Sequence, residues 1–192
     1  MIVLASKSPR RKQLISEYIT SEFLTYNPDI DESLSNALKD PILIVRDIAS
    51  RKGEYAFKKF PNDIVIAADT IVVYSKQILG KPKDEMDAYR ILDLLSNNTH
   101  QVITAFSIFY KDIKIIKHVI SDVTFNKLND TLINEYIASK SPLDKAGAYG
   151  IQDNHQFNII KDYKGSYSNI VGLPIEELKI EIDKILNKKI MG

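Results

Sequence analysis

The sequence predicts an α/β fold with a mixed, twisted β-sheet flanked by helices. Short strand-like runs alternate with helical segments in the first half, and two long β-rich runs at 101–110 and 113–125 follow later. No linker rich in proline, glycine or serine divides the chain. The length of 192 residues therefore predicts a single domain, 1–192, with two lobes around a central cleft.

Start and stop signals define the elements of the first half. Ser8-Pro9 and Asp40-Pro41 each place proline after a helix-capping side chain, and Pro61 stops the second helix. In order, we predict a strand at 2–5, a helix to Tyr18, a strand at 23–26, an acidic surface loop at 27–38, a helix to Phe60, and a buried strand at 64–74 that Asp69 interrupts.

The second half begins with the turn-forming residues Gly80-Lys81-Pro82. Asp84 is predicted to cap a helix with Met86, Ala88, Ile91, Leu92 and Leu95 on one side. The later predictions are a hairpin turning at Lys111-Asp112, a short helix from Asn129 or Asp130, an irregular segment at 139–152, the segments 157–161 and 167–171 around a glycine-containing turn, and a final helix opened by Pro174.

Composition limits the classes of function. The formal net charge is +1, so no global field draws the chain to nucleic acid or to an anionic membrane. Cysteine is absent, which excludes disulfides, thiolate zinc sites and cysteine nucleophiles and leads us to expect the cytoplasm. The apolar N-terminal run meets Lys7 and Arg10 at once, so we expect a first strand rather than a signal peptide.

The segment 6–11, which contains two serines and two arginines, has the outline of an anion site. A helix N-terminus offers free backbone N–H groups and partial positive charge, and arginine binds phosphate through two donors. The alternative is a capped helix with solvent-facing arginines. This segment alone leaves both interpretations open.

Acidic residues supply a second set of candidates. Asp69 interrupts an apolar strand, where a charge is costly unless it is paired, solvated or bound to metal. Glu32, with Asp31 and Asp29, offers oxygen ligands for a hard cation. The alternatives are a strand that bends into water at Asp69 and a solvated acidic loop.

Two nucleotide-binding motifs are missing. Gly80-Lys81-Pro82 lacks the spacing and the hydroxyl residue of a P-loop, and 147–150 lacks the glycine spacing of a dinucleotide fold. The three histidines, His100, His118 and His155, show no zinc-ligand spacing and are interpreted as structural.

Five blocks in order resemble the Maf family of nucleoside triphosphate pyrophosphatases, which is related in fold to the inosine triphosphatases. The blocks are Leu4-Ala5-Ser6-Lys7-Ser8-Pro9-Arg10-Arg11, Ala68-Asp69-Thr70-Ile71-Val72, Leu79-Gly80-Lys81-Pro82-Lys83-Asp84, Asp144-Lys145-Ala146-Gly147-Ala148-Tyr149-Gly150-Ile151-Gln152 and Tyr167-Ser168-Asn169-Ile170-Val171-Gly172-Leu173-Pro174. The resemblance runs nearly end to end. It implies hydrolysis of a nucleotide between its α and β phosphates, in a homodimer.

The resemblance also implies residue roles. Asp69 matches the catalytic acid and, together with Glu32, the site of a divalent cation, Mg²⁺ or Mn²⁺. The residues matched to the triphosphate are Ser8, Arg11, Lys52 and Lys81. The residues matched to substrate specificity are Arg10, Thr70 and Gln152, a combination typical of the dTTP and UTP branch. Whether Asp69 acts as general base or mainly as metal ligand stays open.

One departure from the family pattern is visible after Gln152. The family usually has glycines there, whereas this chain has Asp153-Asn154-His155-Gln156, so the geometry of this loop is not implied by the resemblance. The alternatives to dTTP and UTP hydrolysis are the sister activity on 7-methyl-GTP and a non-catalytic nucleotide sensor in cell division. A module that binds nucleic-acid phosphate through 6–11 is disfavoured by the near-zero net charge.

Overall fold

The structure is a computed structural model that describes residues 1–33 and 38–190. The strands are β1 (Ile2–Ala5), β2 (Phe23–Tyr26), β3 (Ile64–Tyr74), β4 (Gln77–Leu79), β5 (Thr99–Tyr110), β6 (Ile113–Phe125) and β7 (Ile160–Lys164). The α-helices are α1 (Pro9–Tyr18), α2 (Pro41–Lys59), α3 (Glu85–Leu95), α4 (Asp130–Ala138), α5 (Asn154–Phe157), α6 (Tyr167–Val171) and α7 (Ile175–Ile190). No helix within the described ranges is long and apolar enough to cross a membrane.

The seven strands form a mixed sheet, which confirms the predicted fold class. The strand order is β2-β1-β3-β5-β6-β7, and β4 pairs with β3. β1 runs parallel to both β2 and β3, whereas β3–β4 and β6–β7 are antiparallel pairs. Parallel strands at one end and antiparallel pairs beyond them match the early strand and helix alternation followed by a hairpin.

Side-chain caps fix the helix starts that the sequence predicts. Ser8 Oγ accepts a hydrogen bond from the backbone N–H of Arg11, and Asp40 Oδ1 accepts from the N–H groups of Ile42 and Leu43. Asp84 caps α3 and Asn129 caps α4 in the same way. Each cap satisfies backbone donors that the first turn of a helix leaves without intrahelical partners.

Two compact units divide the chain, and each has its own core. The first unit comprises 1–69, 104–119 and 167–192, and its core packs Val3, Ala5, Val65 and Phe109 together. The second unit comprises 70–103 and 120–166. Its fully buried side chains include Leu92, Leu95, Phe125, Ile133 and Tyr136. The single domain over 1–192 stays a prediction.

Helix α2 lies so close to β5 that only glycine fits at position 53. A Cβ atom at Gly53 would lie 2.4 Å from Ser107 Oγ and 2.6 Å from a ring carbon of Phe109. Ser107 Oγ also donates a hydrogen bond of 2.7 Å to the carbonyl of Ala49. This close approach places the helix that carries Lys52 directly against the sheet.

Some predictions on local structure were wrong. The segments 157–161 and 167–171 were predicted only to flank a glycine-containing turn; the strand before that turn is 160–164, and 167–171 is the helix α6. Met86 is 82% exposed, so it lies off the apolar side of α3. The short strand β4 and the helix α5 were not predicted. The predicted acidic loop at 27–38 is irregular or only briefly helical where it is described, and 34–37 lie outside the described residues.

Candidate active site

The candidate site lies at the carboxyl ends of the parallel strands in the first unit. Strands β1 and β3 are paired in register from Ile2 with Ile64 to Ala5 with Ala67, so Asp69 lies just past the end of β1. Helix α1 begins after the same end of β1. In open α/β sheets, ligands bind beyond the carboxyl ends of the strands, where helix N-termini also gather.

Lys52 brings the two candidate acids together. Its Nζ lies 2.8 Å from Asp69 Oδ1 and 2.7 Å from Glu32 Oε1, so one ammonium group faces both carboxylates. The side chains of Lys52 and Asp69 are each 14% exposed, and that of Glu32 is 54% exposed. Asp69 is therefore a charge-paired acid with limited access to water, which is one of the three ways in which a charge at this strand position can be accommodated.

Arg51 holds the backbone of the loop that carries Glu32. Its Nη1 donates a 2.8 Å hydrogen bond to the carbonyl of Asp31, and its Nε contacts Asp47 Oδ2 at 2.9 Å. Asp31 Oδ1 in turn accepts hydrogen bonds from the backbone N–H and the hydroxyl of Ser33. Asp31 therefore shapes the loop, while Asp29 is exposed and has no described contact with Lys52.

Arg11 is anchored by backbone carbonyls at the same end of the sheet. Its Nε donates to the Gly172 carbonyl at 2.7 Å, and its Nη1 donates to the Ala68 carbonyl at 2.9 Å. Burial lowers the pKa of Arg11 below its usual value, and the nearby carboxylate of Asp69 opposes that effect. The guanidinium thus ties α1 to β3 beside Asp69 and keeps positive charge there.

The first unit also contains Ser8 and Arg10. Ser8 is the cap of α1, and its backbone N–H donates to Ser6 Oγ at 3.2 Å. Arg10 is partly buried on the first turn of α1, and its charge lowers the pKa of Arg11. The structure therefore places five candidate residues around the carboxyl end of β1: Ser8, Arg11, Lys52, Glu32 and Asp69. Such a set combines donors for an anion with two acidic groups.

The second unit contains Thr70, Lys81 and Gln152. Thr70 follows Asp69 along β3, and Lys81 is exposed between β4 and α3. Gln152 lies in a short 3₁₀ helix, Ile151–Asp153, and its Oε1 is buried without a hydrogen-bond partner among the described residues. The N–H of Gly147 donates to the carbonyl of Gly80 at 3.0 Å, which joins the segment before Gln152 to the turn that carries Lys81.

The described side chains at the candidate site provide only some of the oxygen ligands that a hard divalent cation needs. Asp69 and Glu32 offer carboxylate oxygens, the ligands that Mg²⁺ and Mn²⁺ prefer. Within 1–33 and 38–190, no group of three or more histidine and acidic side chains is arranged to hold a metal ion. A cation here would need further oxygens, such as those of a bound phosphate.

Comparison with known proteins decides the family. A family model described as Maf-like protein matches residues 1–185. The chain belongs to the Maf family. The Maf residues quoted from the sequence include Asp69 on β3 and the cap Ser8, both of which lie just past the carboxyl end of β1.

Curated Maf relatives align over nearly their whole length. A dTTP/UTP pyrophosphatase of Acholeplasma laidlawii is 41% identical over 185 residues, covering 96% of this chain and 95% of that protein. A dTTP/UTP pyrophosphatase of Alkaliphilus oremlandii is 43% identical, covering 93% of each. Among solved structures, a nucleoside-triphosphatase / dITP/XTP pyrophosphatase of Mycobacterium abscessus covers 66% of this chain and 75% of its own, at 13% identity and a TM-score of 0.43, too low to support an argument.

The sequence did not reveal several residues that support the candidate site. Arg51 was not singled out, although it lies next to Lys52 on α2 and its positive charge near an acidic loop was a usable signal. The carbonyl of Gly172 binds Arg11 through the backbone, which no side-chain pattern reveals. Asp153 was noted only as a departure, and its contacts with Tyr136 and Ser141 depend on tertiary structure.

Proposed function

We propose that this chain is a nucleoside triphosphate pyrophosphatase that hydrolyses dTTP and UTP to the monophosphate and pyrophosphate. The observation that carries the proposal is the Lys52 ammonium group between Asp69 and Glu32, beside the N-terminus of α1 and the guanidinium of Arg11. The names of the aligned relatives support the reaction and the pair of substrates.

The reaction requires water to attack the α-phosphorus in line while pyrophosphate leaves. Charge then develops on the non-bridging and leaving oxygens, and fixed positive groups lower the barrier by facing them. Asp69 is the proposed catalytic carboxylate, which orients the attacking water and accepts its proton. Its hydrogen bond to Lys52 fixes the carboxylate, so Asp69 is oriented before substrate arrives.

Positive groups around Asp69 would bind the triphosphate. Lys52 and Arg11 lie next to the carboxylate, and the capped N-terminus of α1 at Ser8 adds backbone donors. Lys81 joins this set through the family resemblance. The two residue types would have different roles, because a guanidinium orients a phosphate group through two donors, whereas an ammonium supplies a compact positive charge.

The proposal includes a divalent cation, Mg²⁺ or Mn²⁺, held by Asp69 and Glu32. When bound, such a cation neutralises phosphate charge and lowers the pKa of a coordinated water. Lys52 contacts Oδ1 of Asp69 and Oε1 of Glu32, so a bound cation would compete with its ammonium group for the two carboxylates.

Substrate choice is assigned to Arg10, Thr70 and Gln152. The carboxamide of Gln152 supports this assignment, because it carries an acceptor and a donor side by side, the pattern that pairs with the edge of a base, and its Oε1 has no hydrogen-bond partner among the described residues. Small hydrogen-bonding groups of this kind discriminate strongly when a wrong base leaves them unpaired.

The test is a nucleotide panel with separation of pyrophosphate from orthophosphate, with Mg²⁺ or Mn²⁺ present and then removed by a chelator. We expect monophosphate plus pyrophosphate, fastest from dTTP and UTP, and loss of turnover with the chelator. Asp69→Asn should lose at least about 100-fold in kcat while nucleotide binding is kept, and Asp112→Asn in the exposed hairpin turn is the matched control.

Each other outcome of the panel has a defined meaning. The same products with 7-methyl-GTP as the best substrate would overturn the choice of dTTP and UTP but keep the reaction. Tight nucleotide binding without turnover would support the sensor of cell division and refute the enzyme. Release of orthophosphate in place of pyrophosphate would refute the assigned bond.

The compartment and the assembly state complete the proposal. We place the protein in the cytoplasm as a homodimer whose partner is a small-molecule nucleotide, with no role for nucleic acid or a membrane. Light scattering on the purified chain tests the dimer. A salt-dependent shift of oligonucleotides in a gel would contradict the exclusion of nucleic acid.

A further inference from the structure

A hydrogen-bonded network in the second unit centres on the carboxylate of Asp153. Its Oδ2 accepts from the hydroxyl of Tyr136 at 2.6 Å and from the hydroxyl of Ser141 at 2.7 Å. Lys145 Nζ lies 3.9 Å away and donates to Ser141 Oγ at 2.9 Å. The carboxylate therefore joins α4, the 3₁₀ helix Ser141–Asp144 and the 3₁₀ helix Ile151–Asp153, which carries Gln152.

Tyr136 extends this network to the other side of Gln152. Its hydroxyl oxygen accepts a hydrogen bond of 3.0 Å from the N–H of Gly150 while it donates to Asp153. The ring is fully buried, and burial together with Asp153 raises the pKa of the phenol, so the hydroxyl stays protonated as a donor. The backbone is thus held two residues before Gln152 and one residue after it.

The residues after Asp153 close the loop through their side chains. The ring Nδ1 of His155 lies 2.6 Å from the carbonyl of Gln152. Asn154 binds Ile160 twice, accepting from its N–H at 2.6 Å and donating to its carbonyl at 3.2 Å. These are the positions at which the chain departs from the glycines of the family pattern, so side-chain bonds restrain a segment that glycines would leave mobile.

The packing at Gly150 shows how tightly the network encloses the backbone. A Cβ atom at Gly150 would lie 2.8 Å from Cε of Lys145 and 3.1 Å from Oδ2 of Asp153. Lys145 is itself buried and also contacts Asp144 at 2.9 Å. The backbone two residues before Gln152 therefore has little room to shift.

We propose that Asp153 is a positioning residue for base selection, acting through Tyr136 and Ser141 to fix the carboxamide of Gln152. The proposal rests on the proposed function and on the role in specificity assigned there to Gln152. A carboxamide reads a base edge only when its acceptor and donor are held in a fixed place, and a displacement of about 1 Å costs much of the discrimination. Asp153 supplies that restraint without contacting the nucleotide.

The experiment compares Asp153→Ala and Tyr136→Phe with the wild type, and with Asp93→Ala on the exposed face of α3 as the matched control. UTP and CTP are the paired substrates, because they differ only at the edge of the base. In both test variants, the ratio of kcat/KM for UTP over CTP should fall about tenfold, mainly through a higher KM for UTP. Amide hydrogen exchange over 145–153 should become faster in both variants and stay unchanged in Asp93→Ala.

The ratio of kcat/KM and the rate of amide exchange together distinguish failure of the positioning role from failure of the proposed function. Equal losses for UTP and CTP, with an unchanged ratio, would overturn the positioning role, because a purely structural defect lowers both. Unchanged exchange over 145–153 would overturn it as well. A wild-type protein that hydrolyses no nucleotide would refute the proposed function, and exchange would then decide alone whether Asp153 restrains the loop. Tyr136→Phe keeps the buried ring and so covers the case in which Asp153→Ala fails to fold.

Discussion

Replacing Arg11 by methionine should destabilise the fold as well as the site. The guanidinium donates to the carbonyls of Gly172 and Ala68 at 2.7 and 2.9 Å, which join α1 to the middle of β3 and to the turn after α6. Methionine keeps the length of the side chain and a high helix propensity, but it offers no donor. Both carbonyls would then lose a charged partner.

The expected loss of stability follows from those two hydrogen bonds. A hydrogen bond to a charged group contributes about 1.5 to 3 kcal/mol, and partial access to water reduces this figure. Because Arg11 is only partly buried by surface area, we take the lower end of that range for each bond and expect a total loss of about 2 to 3 kcal/mol. For a chain of this size, the melting temperature should fall by about 4 to 12 °C.

Urea unfolding followed by circular dichroism measures this loss. Arg90→Met is the matched control, since Arg90 is 59% exposed and pairs with Asp87 on the surface, where a salt bridge contributes less than about 1 kcal/mol. Arg11→Lys keeps the charge without the fork of donors and should fall between wild type and Arg11→Met. An Arg11→Met midpoint equal to that of wild type, at an unchanged slope, would refute the anchoring role.

Three further predictions follow from the structure. Gly53→Ala should lower the free energy of unfolding by about 1 to 3 kcal/mol, because its Cβ would meet a hydroxyl and an aromatic ring, whereas Gly80→Ala, with open space around it, should be nearly neutral in the same urea assay. Burial lowers the pKa of His100 to about 3. Below about pH 6.5 the imidazole is therefore protonated in the unfolded chain but stays neutral in the folded chain, and the free energy of unfolding should fall by about 2 kcal/mol by pH 5. In His100→Gln that part of the pH dependence should vanish, and an identical pH profile would contradict the assignment. Arg51→Ala should release the loop that carries Glu32 and lower kcat/KM by about three- to tenfold with little change in melting temperature; unchanged kinetics would show that Arg51 is not needed there.

Local signals explain why much of the fold could be predicted. A cap side chain followed by proline sets the starts of α1 and α2, and these signals depend only on neighbours along the chain. The run that forms β3 is apolar enough to be buried whatever its partners are. The helix α6 was missed because the five residues 167–171 are too few to show a helical period, so tertiary contacts determine their conformation.

The sequence indicates which residue types belong to the candidate site, but it does not indicate which of these residues contact one another. Asp69 stands out because a carboxylate inside an apolar strand needs compensation, yet nothing in the sequence identifies Lys52 as the partner. That pairing depends on how closely α2 approaches the sheet, which Gly53 permits one residue further along the helix. The contacts of Asp153 are likewise set by the packing of α4 against the 3₁₀ helix.

The charges around Asp69 bear on the cation requirement of the proposed reaction. Two carboxylates, Asp69 and Glu32, face the ammonium of Lys52, and both act to raise the pKa of the nearby Arg11 against the effect of burial. Asp69 and Glu32 balance Lys52 and Arg11, and Arg10 beside Arg11 adds one positive charge, so the site has only a small surplus for a triphosphate, which carries several negative charges. Surface lysines are screened by salt and add little to this balance. A divalent cation that enters with the nucleotide would restore neutrality, and this charge balance is a physical reason to expect substrate and cation to bind interdependently.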